Sequence, residues 1–448
     1  AVDRHAGERE DRTDLPLVTI DPPTSMDLDQ AVHIARDGGD FVIDYAIADV
    51  AALIEPEGAL DQESRRRGTT VYFPDGSVPL HPRELSEGAG SLLPDQIRPC
   101  VLWTIRVSAS GEPMDVRVRR ATVRSVAKLN YAGVAADAVA GTLHPSIAAL
   151  PDFGELRARV ALDRGAVDLD LPDQEVVRGG DGWSVELAPR TPADGWNSQL
   201  SLLTGTCAGK IMADAGVGLL RTLPAGKPEA VDTLRATASA LGVTWPDGYS
   251  PGRFLKGLAA EQPSTLALMN AATSLMRGAD YLVLGRGADG VLIDAVHGEP
   301  VSAADTRHAA IAGQYAHVTA PLRRLGDRFA TEVCLSVTAG APVPDWVSRA
   351  LPTLPKILRA ADSRCSSADR LSVDLAEAIV LEDQVGQQFS AVATRAGGDR
   401  RPAEVFIDTP AVIAPCDGAP QPGTRLDVVL SAADPVKRQV RFSPVTNP

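Results

Sequence analysis

The chain has 448 residues, of which 44% are hydrophobic and 23% charged, and its 58 acidic side chains outnumber 44 basic ones for a net charge of −14. A pI near 5.0 excludes a protein that coats nucleic acid by bulk charge, which needs Lys and Arg to neutralise phosphates; a local basic channel remains open. Five scattered cysteines without a Cys-x-x-Cys pair read as reduced thiols rather than a disulfide framework or zinc site.

There is no secretory core near the N-terminus and no apolar run approaching about twenty residues. A soluble, cytoplasmic monomer without membrane contact is therefore expected, with two or three folding units at this length.

Residues 1–14 are a polar lead-in. After the apolar run Leu15 to Val18 come Asp21, Asp27 and Asp29, followed by Gln30. Carboxylates are hard oxygen ligands that hold Mg²⁺ together with waters and phosphate oxygens. Two such ions about 3.5–4 Å apart activate a water and stabilise the leaving oxygen of a phosphodiester. If the stretch is extended, Asp27 and Asp29 project to one side. On spacing alone an acidic surface turn that binds nothing is an equal reading, since Asp favours turns. A calcium EF-hand does not fit, because Met26 and His33 break its ligand pattern.

Residues 41–50 read as a buried strand, 58–67 as a helix ending in Arg65-Arg66-Arg67, 68–73 as a strand, and 101–107 with 113–123 as a hairpin. Helical spacing takes over in 197–216, 228–241, 263–280, 303–315, 321–338 and 355–384. Beyond Val385, short strands at 389–392, 403–407, 425–430 and 439–442 suggest a small β-barrel. The fold class is thus mixed α/β (α+β): the lead-in 1–14, a unit over 15–384 with a strand-rich front and helical rear, and a barrel over 385–448.

Several ordered blocks extend this reading. Thr19 to Ala31, Asp44 to Val50, Arg67 to Tyr72, Pro82 to Ser86, Ala127-Lys128-Leu129-Asn130-Tyr131, Arg164 to Asp168 and Tyr315-Ala316-His317-Val318-Thr319-Ala320-Pro321-Leu322-Arg323-Arg324 resemble, in order, the catalytic RNB domain of the ribonuclease II and ribonuclease R family. The barrel stands where that family has an OB-fold RNA-binding domain. The resemblance implies a metal-dependent hydrolytic 3′-to-5′ exoribonuclease that releases nucleoside 5′-monophosphates from single-stranded RNA in RNA turnover. RNA would be told from DNA by its 2′-hydroxyls.

It implies roles as well. Asp21, Asp27, Asp29 and the amide oxygen of Gln30 would hold one or two Mg²⁺ ions, with Mn²⁺ as a substitute, and Asp29 would lie closest to the attacking water. Arg323 would stabilise charge on the cleaved phosphate, Arg323 and Arg324 would contact RNA, and Tyr131 would stack on a base near the 3′ end.

Blander roles stand beside these. Tyr131 reads as a half-buried strand or turn residue, Arg323 and Arg324 as a helix-surface pair, His317 as a hydrogen-bonded structural histidine, Tyr281 as packing. Arg65-Arg66-Arg67 reads as a solvated helix face first and a phosphate track second. No Gly-x-Ser-x-Gly elbow supports Ser/His/Asp catalysis.

The chain also departs from the family. Gln30 stands in place of a fourth acid, and Gln199 and Gly205 stand where Glu and Asn are usual. The fourteen residues ahead of Leu15 leave no room for N-terminal cold-shock-type barrels, so the sequence reads as a trimmed or short form. The alternative reading is an RNA-binding or regulatory protein with a weakened or inactive site; a third is a DNA-directed nuclease.

Overall fold

In the computed structural model, residues 2–445 are described except 170, 172, 173, 180, 181, 189, 260, 261, 399 and 400. Six strands at the front form one sheet: β1 (Glu10–Asp11), β2 (Leu17–Ile20), β3 (Gln30–Asp37), β4 (Asp40–Ala48), β5 (Ile97–Val107) and β6 (Pro113–Leu129), in the order β1-β6-β2-β3-β4-β5. β6 pairs antiparallel with β5 over most of its length and parallel with β2 at its end, where Ile20 lies opposite Leu129. The sheet therefore curls until one strand serves both of its ends. Val18, Val32, Ile43, Tyr45, Trp103 and Ile105 point into a core shared with Phe153, Leu203 and Phe329. A slip of one residue would turn such an apolar set outward, so this core fixes the register.

The lead-in belongs to this domain. The Arg9 side chain is 2% exposed and pairs with Asp3 at 2.5 Å and Asp49 at 2.8 Å, while donating to the carbonyls of Cys100 and Ala121. The boundary expected at residue 15 is therefore no structural boundary. Its polar composition conceals buried ion pairs that only the folded neighbours reveal.

The longer helices among the described residues are α1 (Ala59–Arg67), between β4 and β5, and, after the sheet, α2 (Tyr131–Ala140), α3 (Leu150–Asp163), α4 (Pro192–Ala215), α5 (Pro228–Ala240), α6 (Pro263–Ala272), α7 (Leu325–Thr338) and α8 (Leu354–Leu381). α4 starts where a capping box predicts it, with Thr191 and Asp194 bonded reciprocally, and ends on the left-handed Gly216. Three expected helices differ. Segment 303–315 forms turns and the short pair Arg307–His308 and Gly313–Gln314, and 263–280 ends early, with Asp280 opening a strand. The expected helix from 321 starts at Leu325, because the residues before it are drawn into the cleft described below.

The C-terminal strands β7 (Gln388–Arg395), β8 (Ala403–Ile407), β9 (Val412–Cys416), β10 (Arg425–Asp434) and β11 (Gln439–Pro444) close a barrel in the order β7-β8-β9-β11-β10. This matches the expected OB fold. Ala378 and Leu381 of α8 complete its core with Val405, Val428 and Phe442. Glu377 accepts from the Ile413 N–H at 3.2 Å and from Gln174 at 2.7 Å, which docks the barrel. The five cysteines are free. Among the described residues no helix is long and apolar enough to cross a membrane.

Candidate active site

The acidic stretch leaves β2 as an irregular loop, not an extended strand. The Asp21 N–H donates to the Leu129 carbonyl at 3.1 Å. Lys128 donates to the carbonyls of Pro23 at 2.8 Å and Ser25 at 2.5 Å. Ser91 Oγ donates to the Met26 carbonyl at 2.6 Å and accepts from the Leu28 N–H at 2.9 Å. With Leu28 buried between them, Asp27 and Asp29 part company: Asp27 stays half-buried, 3.4 Å from the Tyr72 hydroxyl, whereas Asp29 is 4% exposed.

Asp29 Oδ1 accepts from the Leu322 N–H at 2.8 Å, and its Oδ2 lies 3.8 Å from Arg323 Nε. Burial drives this carboxyl well above its usual range, and the nearby Arg323 charge only partly offsets that. Burial, followed by the charge of Asp27, pushes Asp21 up to about 6. The group of carboxylates is thus short of positive charge.

That imbalance and the all-oxygen donor set fit a hard divalent cation. Among the described residues, however, no three Asp, Glu, His or Cys side chains stand close enough to hold an ion by themselves. The donor set is an open one, suited to a cation that keeps waters and takes up substrate oxygens.

Gln30 opens β3 as a bridge. Its Nε2 donates to the Thr319 carbonyl at 2.5 Å, and its Oε1 accepts from the Tyr45 hydroxyl at 2.9 Å, which also meets Ser201 at 3.0 Å. A backbone carbonyl only accepts, so a carboxylate in this position would face it without a proton to share. The second lone pair of Oε1 is all that Gln30 could still offer a metal.

Arg323 is held by its backbone, whose carbonyl accepts from Thr69 Oγ1 at 2.8 Å and the Thr70 N–H at 2.9 Å. Its side chain stays 43% exposed in a cleft of about 550 Å³ lined also by Gln30, Tyr131, Asp194, Gln199 and Arg324. Tyr131 is the first residue of α2, set there by the Asn130 cap on the Gly133 N–H at 2.8 Å, and its hydroxyl accepts from Asn197 at 3.4 Å. Arg324 borders the cleft but is paired with the buried Asp327 at 2.8 Å.

Elsewhere the residues pack or pair within the protein: Arg65 is turned inward over the Phe329 ring rather than solvated. Arg65 pairs with Asp61, and Arg66 and Arg67 with Glu63. His317 packs edge-on against Tyr281 and Tyr315, with ring centres 6.1 and 5.4 Å away. Tyr281 lies under the Arg221 guanidinium at 4.4 Å. Gly205 has a packing reason, since a Cβ there would stand 2.2 Å from the Tyr315 ring and 2.8 Å from the Ala316 carbonyl.

Sequence reasoning thus located Asp21, Asp27, Asp29, Gln30, Tyr131 and Arg323 but missed their supports. Lys128 and Tyr72 lay inside blocks already singled out. So did Tyr45 and Thr319, whereas Ser91 carried no spacing signal.

Residues 9–334 match the RNB domain family and residues 387–445 the RNase II-type exonuclease C-terminal S1 domain. Exoribonuclease 2 of Vibrio vulnificus (strain YJ016) is 33% identical over 238 residues, half of this chain and 36% of that protein. Ribonuclease R of Escherichia coli (strain K12) is 27% identical over 336 residues, 71% of this chain and 39% of that protein. The chain therefore matches well under half the length of these curated relatives. Among solved structures, the apo form of Mycoplasma genitalium RNase R superposes with a TM-score of 0.85 at 19% identity, covering 99% of this chain and 72% of that one.

Proposed function

Because the chain belongs to the RNB-domain family, we propose that it is a hydrolytic 3′-to-5′ exoribonuclease that removes nucleoside 5′-monophosphates from single-stranded RNA with Mg²⁺. The observation that carries this reading is Arg323 beside the under-neutralised Asp29, in a cleft that Tyr131 also lines.

Asp21, Asp27 and Asp29 would hold the cation, which when bound supplies Lewis acidity toward phosphate oxygens and a more acidic water. The chain's own groups do the rest. The guanidinium of Arg323, with its carbonyl pinned by Thr69 and Thr70, presents a planar fork to the phosphate and neutralises charge that builds there. The Tyr131 ring offers a stacking surface that accepts any base, as degradation without sequence preference requires. Gln30 ties Tyr45 to the Thr319 carbonyl and so fixes the segment leading to Arg323.

The test is a 5′-labelled RNA incubated with Mg²⁺ or EDTA, beside a DNA oligomer of the same sequence. Metal-dependent shortening of the RNA from its 3′ end, lost in Asp29→Asn, is expected. If no metal-dependent shortening occurs, the proposal fails, and shortening of the DNA alone selects the DNA-directed reading.

One observation favours a second reading, an RNA-binding protein with a weakened site. The residue in the place of the fourth acid is an amide whose two ends are already engaged. That reading requires RNA to be retained without shortening at high Mg²⁺.

A further inference from the structure

Arg157 lies within α3, is 2% exposed and ranks among the largest fully buried side chains. Buried guanidinium groups ordinarily meet carboxylates. Arg328 does: equally buried, it bonds Asp61 at 2.7 Å and lies over the rings of Phe329 and Trp346 at 5.3 and 4.8 Å, although its Nε and Nη2 also lack hydrogen bonds, so the missing carboxylate is what sets Arg157 apart. Arg157 has no such partner among the described residues. Its Nη1 donates to the Gly111 carbonyl, and its Nε is buried without a hydrogen bond. Glu112, the acid whose charge reaches it, is engaged by Arg164 at 3.4 Å.

Arg157 is also among the residues lining the cleft that holds Tyr131 and Arg323. Arg164 and Lys256 add positive charge to that cleft, against Asp168 and Asp194. An arginine keeps its proton even when buried, so a full positive charge lies behind the cleft wall with no carboxylate bonded to it among the described residues. One edge of its fork is oriented by Gly111 and its Nε is sealed from solvent, which leaves the outer nitrogen Nη2 for an anion from outside the chain.

We propose that Arg157 is a phosphate-binding residue, receiving one backbone phosphate of the strand in the cleft, distinct from the phosphate at Arg323. The proposal rests on the reading of the cleft as an RNA site. A planar fork already aimed by one bond loses little freedom on taking a phosphate. The missing carboxylate is then part of the design, because an internal partner would compete with the strand.

The experiment measures binding of a fluorescent oligouridine in EDTA, where nothing is cut, over a series of salt concentrations. Wild type is compared with Arg157→Met, and melting temperatures are recorded alongside. Loss of one phosphate contact on a single strand should make the slope of log K against log salt shallower by about 0.7. Affinity at low salt should fall about tenfold, a typical loss for one charged contact. The melting temperature should be equal or higher, since an unpaired buried charge has been removed.

Arg157→Gln, which keeps a donor for the Gly111 carbonyl, must give the same change in slope and serves if the methionine variant does not fold. An unchanged slope overturns the proposal and leaves Arg157 a packing residue. Failure of the wild type to bind the oligouridine overturns both the proposal and the RNA reading of the cleft; binding with unchanged slopes in the variants overturns the proposal alone.

Discussion

Asp61 and Asp29 are 0% and 4% exposed, yet their surroundings treat them in opposite ways. Asp61 accepts from Arg65 at 2.9 Å, from Arg328 at 2.7 Å and from the Glu57 N–H at 2.8 Å. Burial pushes its carboxyl up, but the bonds from Arg65 and the Arg328 charge outweigh that and hold it below the usual range. Asp29 has one backbone N–H and an arginine at 3.8 Å, and there burial wins. The first is a closed ion cluster that ties α1 to α7. The second is left open where a cation and a phosphate can complete it.

The largest expected effect breaks the closed cluster. Asp61→Asn leaves Arg328 buried and unpaired, so urea denaturation should show a loss of about 3–5 kcal/mol, with turnover by the remaining folded protein little changed. Asp29→Asn should do the reverse. Cleavage of labelled RNA falls on the order of 10²–10³-fold while the melting temperature holds or rises; a fall in melting temperature would place Asp29 with Asp61 as a structural ion.

Gln30→Glu keeps the length of the side chain but sets a carboxylate against the Thr319 carbonyl. It should cost about 1–3 kcal/mol in stability, the range for a buried group left unpaired, with cleavage slowed as Arg323 loosens. A faster enzyme would instead mean that position 30 is a weakened metal ligand.

The smallest effect is a tilt with pH. Asp21 holds its proton more tightly folded, with a value of about 6 against 3.8. Its contribution to metal-free stability is therefore present at low pH and lost as pH rises through about 6. Mg²⁺ should raise the melting temperature more above that point than below it, and Asp21→Asn should flatten the difference.

Much of this was legible in the sequence, and the misses have physical reasons. The barrel, the hairpin and α4, α5 and α8 follow from alternation, helical spacing and caps, which are local. Segment 303–315 has helical composition but is taken up by docking: Tyr315 seats against Gly205 and Gly209, where even a Cβ would clash. Arg9 and Arg157 sit in polar or amphipathic stretches that read as surface. Their burial depends on Asp49 and on the Gly111 turn, neither of which is near them in the chain.

By itself, the sequence determined the succession of strands, helices and barrel, the family, and the residues around which a site could form: Asp21, Asp27, Asp29, Tyr131 and Arg323. Only the tertiary structure decided which carboxylates are neutralised within the protein and which are left open, and that the Gln30 amide nitrogen meets the Thr319 carbonyl. The Gln30–Thr319 and Asp29–Leu322 bonds span 289 and 293 residues. Local patterning cannot encode such partners, because packing of the whole domain brings them together.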